Sequence, residues 1–247
     1  MSDGPAVLAV ETATDACSVA LALGGEVRSR HEVVPRQHQQ RLFAMVRELA
    51  GDRPLAGLGL DVIAYGRGPG SFTGLRIAAA AAQGLAFSLG LPVAGVPTLA
   101  AQARTALRQG AAAADALILS TIDARIGELY WALYEVPAGA VDSLPLALTE
   151  PVVCRPEALP VAAITVAAAG RPLYLVGSGA GLADAFPSGL PAFAGTAPAL
   201  LPEARDLVPF ARASLAAGEA TGAAAVAPLY VQGGDRWKTL AEQGRAQ

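Results

Sequence analysis

At 247 residues, with 53% hydrophobic and 16% charged side chains, the chain has apolar material for a substantial core, which excludes the disordered class. A net charge of −3 and a pI near 5.4 exclude broad nucleic-acid binding by this chain alone, because neutralising phosphates takes clustered Lys and Arg. No apolar run approaches the roughly 20 residues that cross a bilayer, Met1-Ser2-Asp3-Gly4 lacks the basic region of a secretion signal, and Cys17 and Cys154 fit no metal or disulfide framework, so a reducing cytoplasm and no membrane are expected.

In chain order, Val7 to Val10 reads as a short buried strand that turns at Glu11-Thr12-Ala13-Thr14-Asp15 and returns as Ser18 to Leu23. Gly24-Gly25 is a hairpin signal, and Glu26 to Val34 alternates as a third strand. A first helix spans about Gln37 to Ala50, with Leu42, Val46 and Leu49 on one face and Met45 beside them; Gly51 to Pro54 ends it. Val62 to Ala64 is a fourth strand, and Leu75 to Leu89 a second helix that stops at Gly90 and Pro92. A strand over Leu91 to Val96 and a helix over about Leu99 to Leu107 follow. The second half then repeats the opening. Leu117 to Arg125 is a strand ending in an acid and a turn, Leu129 to Tyr134 returns, and Arg171 to Val176 leads into Gly177-Ser178-Gly179. Residues 187–200 read as irregular, and Leu201 to Leu215 as a last helix with Pro209 near its start or at a kink.

The segment Tyr65 to Ile77 is the most informative stretch. Strand, glycine turn and helix together aim free N–H groups at an anion. Yet no Lys follows Gly74, Thr73 sits where a dinucleotide fold places its third glycine, and Pro69 removes a donor. The competing reading is a tight turn that lets the helix pack closely on the sheet.

These elements make two α/β units, each opening with a hairpin whose turn carries Glu11 or Asp123. Duplicated units of this kind around a cleft are the pattern of the actin, sugar kinase and Hsp70 superfamily. The fold class is therefore α/β: two actin-like domains, residues 1–107 and a reduced 108–247, with the last helix (about 201–217) packing back on the first. Glu11, Thr12, Asp123 and Gly177 are the candidate residues of a vestigial nucleotide cleft. The two acids either orient a metal-bound nucleotide or hold the backbone of their own turns. His38 shares the helix face of Leu42 and has no evident metal co-ligands. Arg36, Arg41 and Arg47 form a solvated edge or meet a partner. Ala78, Ala81, Ala82 and Gly84 give the second helix a small-residue surface, with Leu85 and Phe87 as anchors, suited to internal packing or to an approaching helix.

Three stretches resemble the TsaB family, also called YeaZ: Leu8 to Thr14, Arg67 to Ile77, and Ile122 to Glu128. The likeness continues through Arg36-Gln37-His38 and Gly95 to Leu99 and ends near Pro228 to Val231; Gln232 stands where the family commonly has Arg. The resemblance implies a noncatalytic subunit of the bacterial machinery that makes threonylcarbamoyladenosine in tRNA. Its implied partners are TsaD, the transferase, and TsaE, with self-association when TsaD is absent and tRNA met only through the complex. It implies no catalytic residue, no metal and no cofactor on this chain alone, with ATP or ADP and metal handled in the complex. TsaD carries a metal on a His-x-x-x-His helix, and the resemblance places Thr98 and Gln102 at those two positions, neither a good ligand. It further implies a partner interface on the first two helices, for which His38, Arg41, Met45, Ala78, Ala81, Ala82 and Leu85 are the candidates. The alternative is a self-sufficient phosphotransferase, ATPase or peptidase of the same superfamily. Against a peptidase, the sequence has no His-Glu-x-x-His and no Ser or Cys with a fitting His neighbour.

Overall fold

The computed structural model describes residues 4–137 and 144–231. Its strands are β1 Val7–Glu11, β2 Ala16–Leu23, β3 Glu26–Val33, β4 Val62–Gly68, β5 Val93–Pro97, β6 Leu117–Asp123, β7 Leu129–Glu135, β8 Leu146–Ala147, β9 Val152–Cys154, β10 Leu173–Val176 and β11 Phe193–Ala197. The helices are α1 His38–Ala50, α2 Phe72–Leu89, α3 Thr98–Arg108, α4 Val161–Ala168 and α5 Val208–Ala216.

The strands form two sheets with the same plan. The first runs β3-β2-β1-β4-β5, and the second, read from its opposite edge, β8-β7-β6-β10-β11, with β9 also on β7. In each, a hairpin supplies three antiparallel strands and two parallel strands are added beside its first member. The first sheet is covered on one face by α1 and α2 through Leu8, Val10, Leu42, Met45, Ile63, Ala78 and Ala82. The other face carries α5, where Val208 and Ala211 pack with Val7, Ala9, Val62 and Ala64. Its inner strands β1, β2 and β4, buried on both faces, read as near-continuous apolar runs for that reason, whereas the edge strand β3 has no fully buried residue and alternates.

The structure departs from the sequence reading in several places. Residues 187–200 contain β11, an edge strand paired in parallel with β10; only alternate residues are covered, so its apolar signal is weak. The last helix is shorter: Ala204–Leu207 is a separate 3₁₀ turn, and α5 starts at Val208 with Pro209 in its first turn, where the missing N–H costs nothing. Helix α4 and strands β8 and β9 have no counterpart in the sequence reading. Helix α2 begins earlier than its apolar period, at Phe72, because the Ser71 hydroxyl caps it by accepting from Gly74 N. At 18 residues and mean hydropathy 1.2, α2 also meets the length of a short membrane span, which the run-length argument misses. Its alanine face is packed onto the first sheet, as in the core helix of a sheet protein.

The glycine turn is explained by close approach. A Cβ on Gly74 would stand 2.0 Å from the Thr12 carbonyl oxygen, and one on Gly70 2.4 Å from that of Ala13. Ser71 N donates to the Ala13 carbonyl at 2.7 Å, and the Thr12 hydroxyl donates to the Gly74 carbonyl at 2.7 Å. The start of α2 is thus docked against the β1–β2 turn. Gly84, exposed in the middle of the same helix, has nothing within 4 Å of a built Cβ. Gly74→Ala should therefore destabilise by roughly 2 kcal/mol or more, as overpacking against backbone does, whereas Gly84→Ala should stabilise by about 0.5–1 kcal/mol through helix propensity. Equal effects in paired thermal and urea unfolding would refute the docking role.

Candidate functional site

The two hairpin turns face one another across a concavity of about 510 Å³, lined by Thr14, Asp15, Ser71, Asp123, Arg125 and Ser178 among others. The four residues expected to form a nucleotide cleft are not gathered in it. Glu11 is 1% exposed and folds back into its own turn: Oε1 accepts from Ala13 N at 2.6 Å and Oε2 from the Thr98 hydroxyl at 3.1 Å. A Cβ on Gly66 would overlap the same carboxylate, so β4 closes over it. Thr12 is fully buried with its hydroxyl given to Gly74. Gly177 is backed by the chain itself, since a Cβ there would lie 2.1 Å from the Thr121 carbonyl oxygen and 2.2 Å from Gln102 Nε2. Only Asp123 lines the concavity, and its Oδ1 accepts from Arg125 N at 2.7 Å. The expected cleft set is thereby corrected. Three of its four members are buried in packing, and the fourth braces a turn.

Burial governs the chemistry of Glu11. Desolvation pushes its carboxyl up to about 7, against the opposing pull of hydrogen bonds from Ala13 N, Thr98 and Thr12 N. Thr98 Oγ1 accepts in turn from Gly68 N at 3.2 Å. One buried chain of hydrogen bonds therefore links the first hairpin, the glycine turn and α3.

Sequence reasoning overlooked what Thr98 and Gln102 do. Gln102 Nε2 donates to the Ser120 hydroxyl and the Thr121 carbonyl, both at 3.0 Å, with a longer contact of 3.4 Å to the Val176 carbonyl. Three residues on, Thr105 donates to Asp206, which also takes Arg108 on both oxygens. The signal was present in the sequence: polar residues at i, i+4 and i+7 within a helix of Ala and Leu mark a buried stripe when the whole helix is inside. Also overlooked is the Asp15–Arg125 ion pair, with both carboxylate oxygens 3.0–3.1 Å from Nη2, which spans the mouth of the concavity between the two hairpin turns.

The outer surface of α1 and α2 forms a second feature. Between them runs a largely apolar groove of about 450 Å³, lined by Leu42, Phe43, Phe72, Arg76, Ile77 and Ala80 among others. Phe43 is 45% and Phe72 56% exposed. Arg76 lies over the Phe72 ring at 3.8 Å and donates to the Tyr230 hydroxyl at 3.1 Å, so this cation–π pair is held in place from the other end of the chain. The expected interface residues fare differently. Ala78, Ala82 and Met45 are completely buried, and Ala81, Leu85 and His38 are at most 8% exposed. They face the sheet because the apolar stripe of each helix turns inward. His38 Nε2 lies 2.9 Å from the Thr14 carbonyl oxygen, and Arg41 holds Glu32 by two bonds of 2.6 and 2.8 Å. Of the expected anchors, Phe87 stays outside, 83% exposed.

Comparison with known proteins adds identity to this geometry. The family model described as "TsaD: tRNA N6-adenosine threonylcarbamoyltransferase" matches residues 27–154. The chain is 35% identical over 238 residues, 95% of its length and 97% of the relative's, to the Escherichia coli K12 protein named tRNA threonylcarbamoyladenosine biosynthesis protein TsaB. The chain belongs to the TsaB family. A Haemophilus influenzae protein of the same name is 43% identical over 128 residues, about half of either chain. The solved structure of YeaZ from Pseudomonas aeruginosa superposes with a TM-score of 0.80 at 38% identity, covering 92% of this chain and all of that one. The two-unit, actin-like reading of the fold is thus shared with a family member of known structure.

Membership raises the question of nucleotide and metal. A metal-bound nucleotide needs open carboxylate oxygens, and Glu11 has none to offer. The Thr98 hydroxyl is spent on Glu11 and Gly68 and the Gln102 amide nitrogen on the second sheet, while Gln102 Oε1, buried and without a partner among the described residues, is a single neutral oxygen where a metal needs several ligands. These residues do not fit the group. Among the described residues, no three His, Cys, Asp or Glu side chains converge.

The raised carboxyl of Glu11 has a measurable consequence. Because the folded state holds this proton to about pH 7 while an unfolded Glu releases it near 4.5, its contribution is present in full below the unfolded value and is lost as pH rises to 7. The loss is of order 3 kcal/mol. Comparing urea unfolding of the wild type and Glu11→Gln from pH 4.5 to 7.5 should show this slope in the wild type alone. Parallel pH profiles would show that Glu11 is not the titrating group.

Proposed function

We propose that this chain acts in tRNA threonylcarbamoyladenosine biosynthesis as a noncatalytic subunit that binds and organises TsaD. TsaD then transfers the threonylcarbamoyl group to the adenosine next to the tRNA anticodon. The observation that carries the reading is the family relationship over 95% of the chain, taken with a cleft whose acid and glycines are engaged in packing. TsaE is the further partner, a second copy of the chain takes TsaD's place when TsaD is absent, and tRNA is met through the complex. ATP or ADP and metal belong to the other subunits in this reading, and the setting is the cytoplasm.

The α1–α2 face is the docking surface we assign to TsaD, with the contact residues moved from the buried alanines to Phe43, Phe72, Arg76, Ile77 and Ala80. Half-exposed aromatics beside a pinned arginine are the composition of an interface anchor. The groove between them accepts a helix from the partner.

Phe43→Asp combined with Phe72→Asp should weaken binding to TsaD of the same organism at least tenfold, by calorimetry or co-purification, with the melting temperature nearly unchanged. Val166→Asp, at a still more exposed apolar site on α4, should leave binding intact. Wild-type affinity in the double variant would remove this face from the assignment.

A further inference from the structure

The first sheet carries another concavity, at the edge away from the hairpin. β5 is the edge strand there, and the chain after α5 returns along it, stapled at three points. Val93 and Thr221 exchange backbone hydrogen bonds of 2.7 and 2.9 Å. The Tyr65 hydroxyl donates to the Ala227 carbonyl at 2.9 Å and accepts from Ala227 N at 3.2 Å. Leu229 N donates to the Arg67 carbonyl at 2.6 Å. Beside these staples lies a concavity of about 730 Å³, walled by Tyr65, Arg67, Gly95, Phe210, Ser214 and Thr221 among others.

Two groups in its wall lack partners. Among the described residues Arg67 Nε is shut off from solvent without a hydrogen-bond acceptor, and Arg67 joins no ion pair. A buried donor left without an acceptor calls for an explanation. Gly95 supplies the second group. The Pro92 carbonyl accepts from Ile63 N across the ladder, and Val93 turns its backbone groups the other way, to Thr221. Gly95, two residues on, turns the same way as Val93. It is exposed, and among the described residues β5 has no further strand on that side. Gly95 also keeps the floor open: a Cβ there would stand 3.1 Å from the Tyr65 hydroxyl and 3.3 Å from Arg67 Cδ.

We infer that this concavity is a binding site for a small carboxylate with an apolar body. Its anion meets the Arg67 guanidinium, its second oxygen takes the Gly95 N–H, and its body rests on Tyr65 and Phe210. Arginine suits this role because its planar fork matches a carboxylate. Among the described residues Glu219 is the one acid in the wall, and its charge favours a single anionic group over a polyanion. The site lies on the β5 edge, apart from the α1–α2 groove, and does not rest on the TsaD assignment.

The test is a titration of the full chain with sodium benzoate, followed by the arginine Nε–Hε resonances in ¹⁵N–¹H spectra. The Arg67 signal is assigned by its loss in Arg67→Lys. It should move and saturate, with benzoate binding at least tenfold more tightly than acetate. Gly95→Val keeps Arg67 but fills the floor and should weaken benzoate at least tenfold; Ser214→Phe plugs the same space from α5 and serves should Gly95→Val fail to fold. An Arg67 signal that stays still, drifts without saturating, prefers benzoate no more than acetate, or responds alike in the plugged variants would overturn the site.

Discussion

The molecule depends on one face of α3. Thr98, Gln102, Thr105 and Arg108 follow one another down that face, and each holds a different part of the chain: Thr98 the Glu11 carboxylate and the glycine turn, Gln102 strands β6 and β10, Thr105 and Arg108 the Asp206 carboxylate at the return of the C-terminal segment. A buried polar group is costly unless it is bonded. Such a column therefore tolerates few alternatives to the native arrangement of the two sheets. It also accounts for a fully buried glutamine and glutamate in a chain so rich in alanine.

The same economy governs the turns. In a superfamily whose turns bind phosphate between two domains, free backbone donors and open carboxylates are the working parts. Here the Ser71 amide goes to the Ala13 carbonyl, and the Thr12 hydroxyl to Gly74. Gln102 fills the space behind Gly177. The glycines serve helix docking, and the scaffold's cohesion comes from the atoms that would otherwise meet a ligand. With the turns so engaged, the groove between α1 and α2 still offers exposed aromatic and cationic groups to a partner. Their geometry is completed by Tyr230, 154 residues from Arg76.

Much of this was legible in the sequence for local reasons. The buried strands announce themselves as apolar runs, the hairpins by Gly24-Gly25 and by acids at their tips, and α1 by Leu42, Val46 and Leu49. The tight-turn reading of Tyr65 to Ile77 followed from what the loop lacks. What escaped was whatever has little local signal. β11 alternates weakly at an edge, β8 and β9 are two and three residues long, and α4 is apolar nearly all round, which gives no period to read.

The direction of each helix face is a different matter. An alanine stripe such as Ala78, Ala81 and Ala82 fits both a sheet and a partner helix, because small side chains permit either approach. By itself, then, the amino-acid order determined the duplicated α/β plan, the hairpin-led units and the family, since these rest on periodicity and on motifs contiguous in the chain. Only the tertiary structure decided that the alanines turn inward and Phe43 and Phe72 outward, that Glu11 is sealed under β4, and that Arg67 Nε is left without an acceptor among the described residues. Those outcomes are set by contacts between residues far apart in sequence, where packing and desolvation, not local pattern, choose among equally plausible faces.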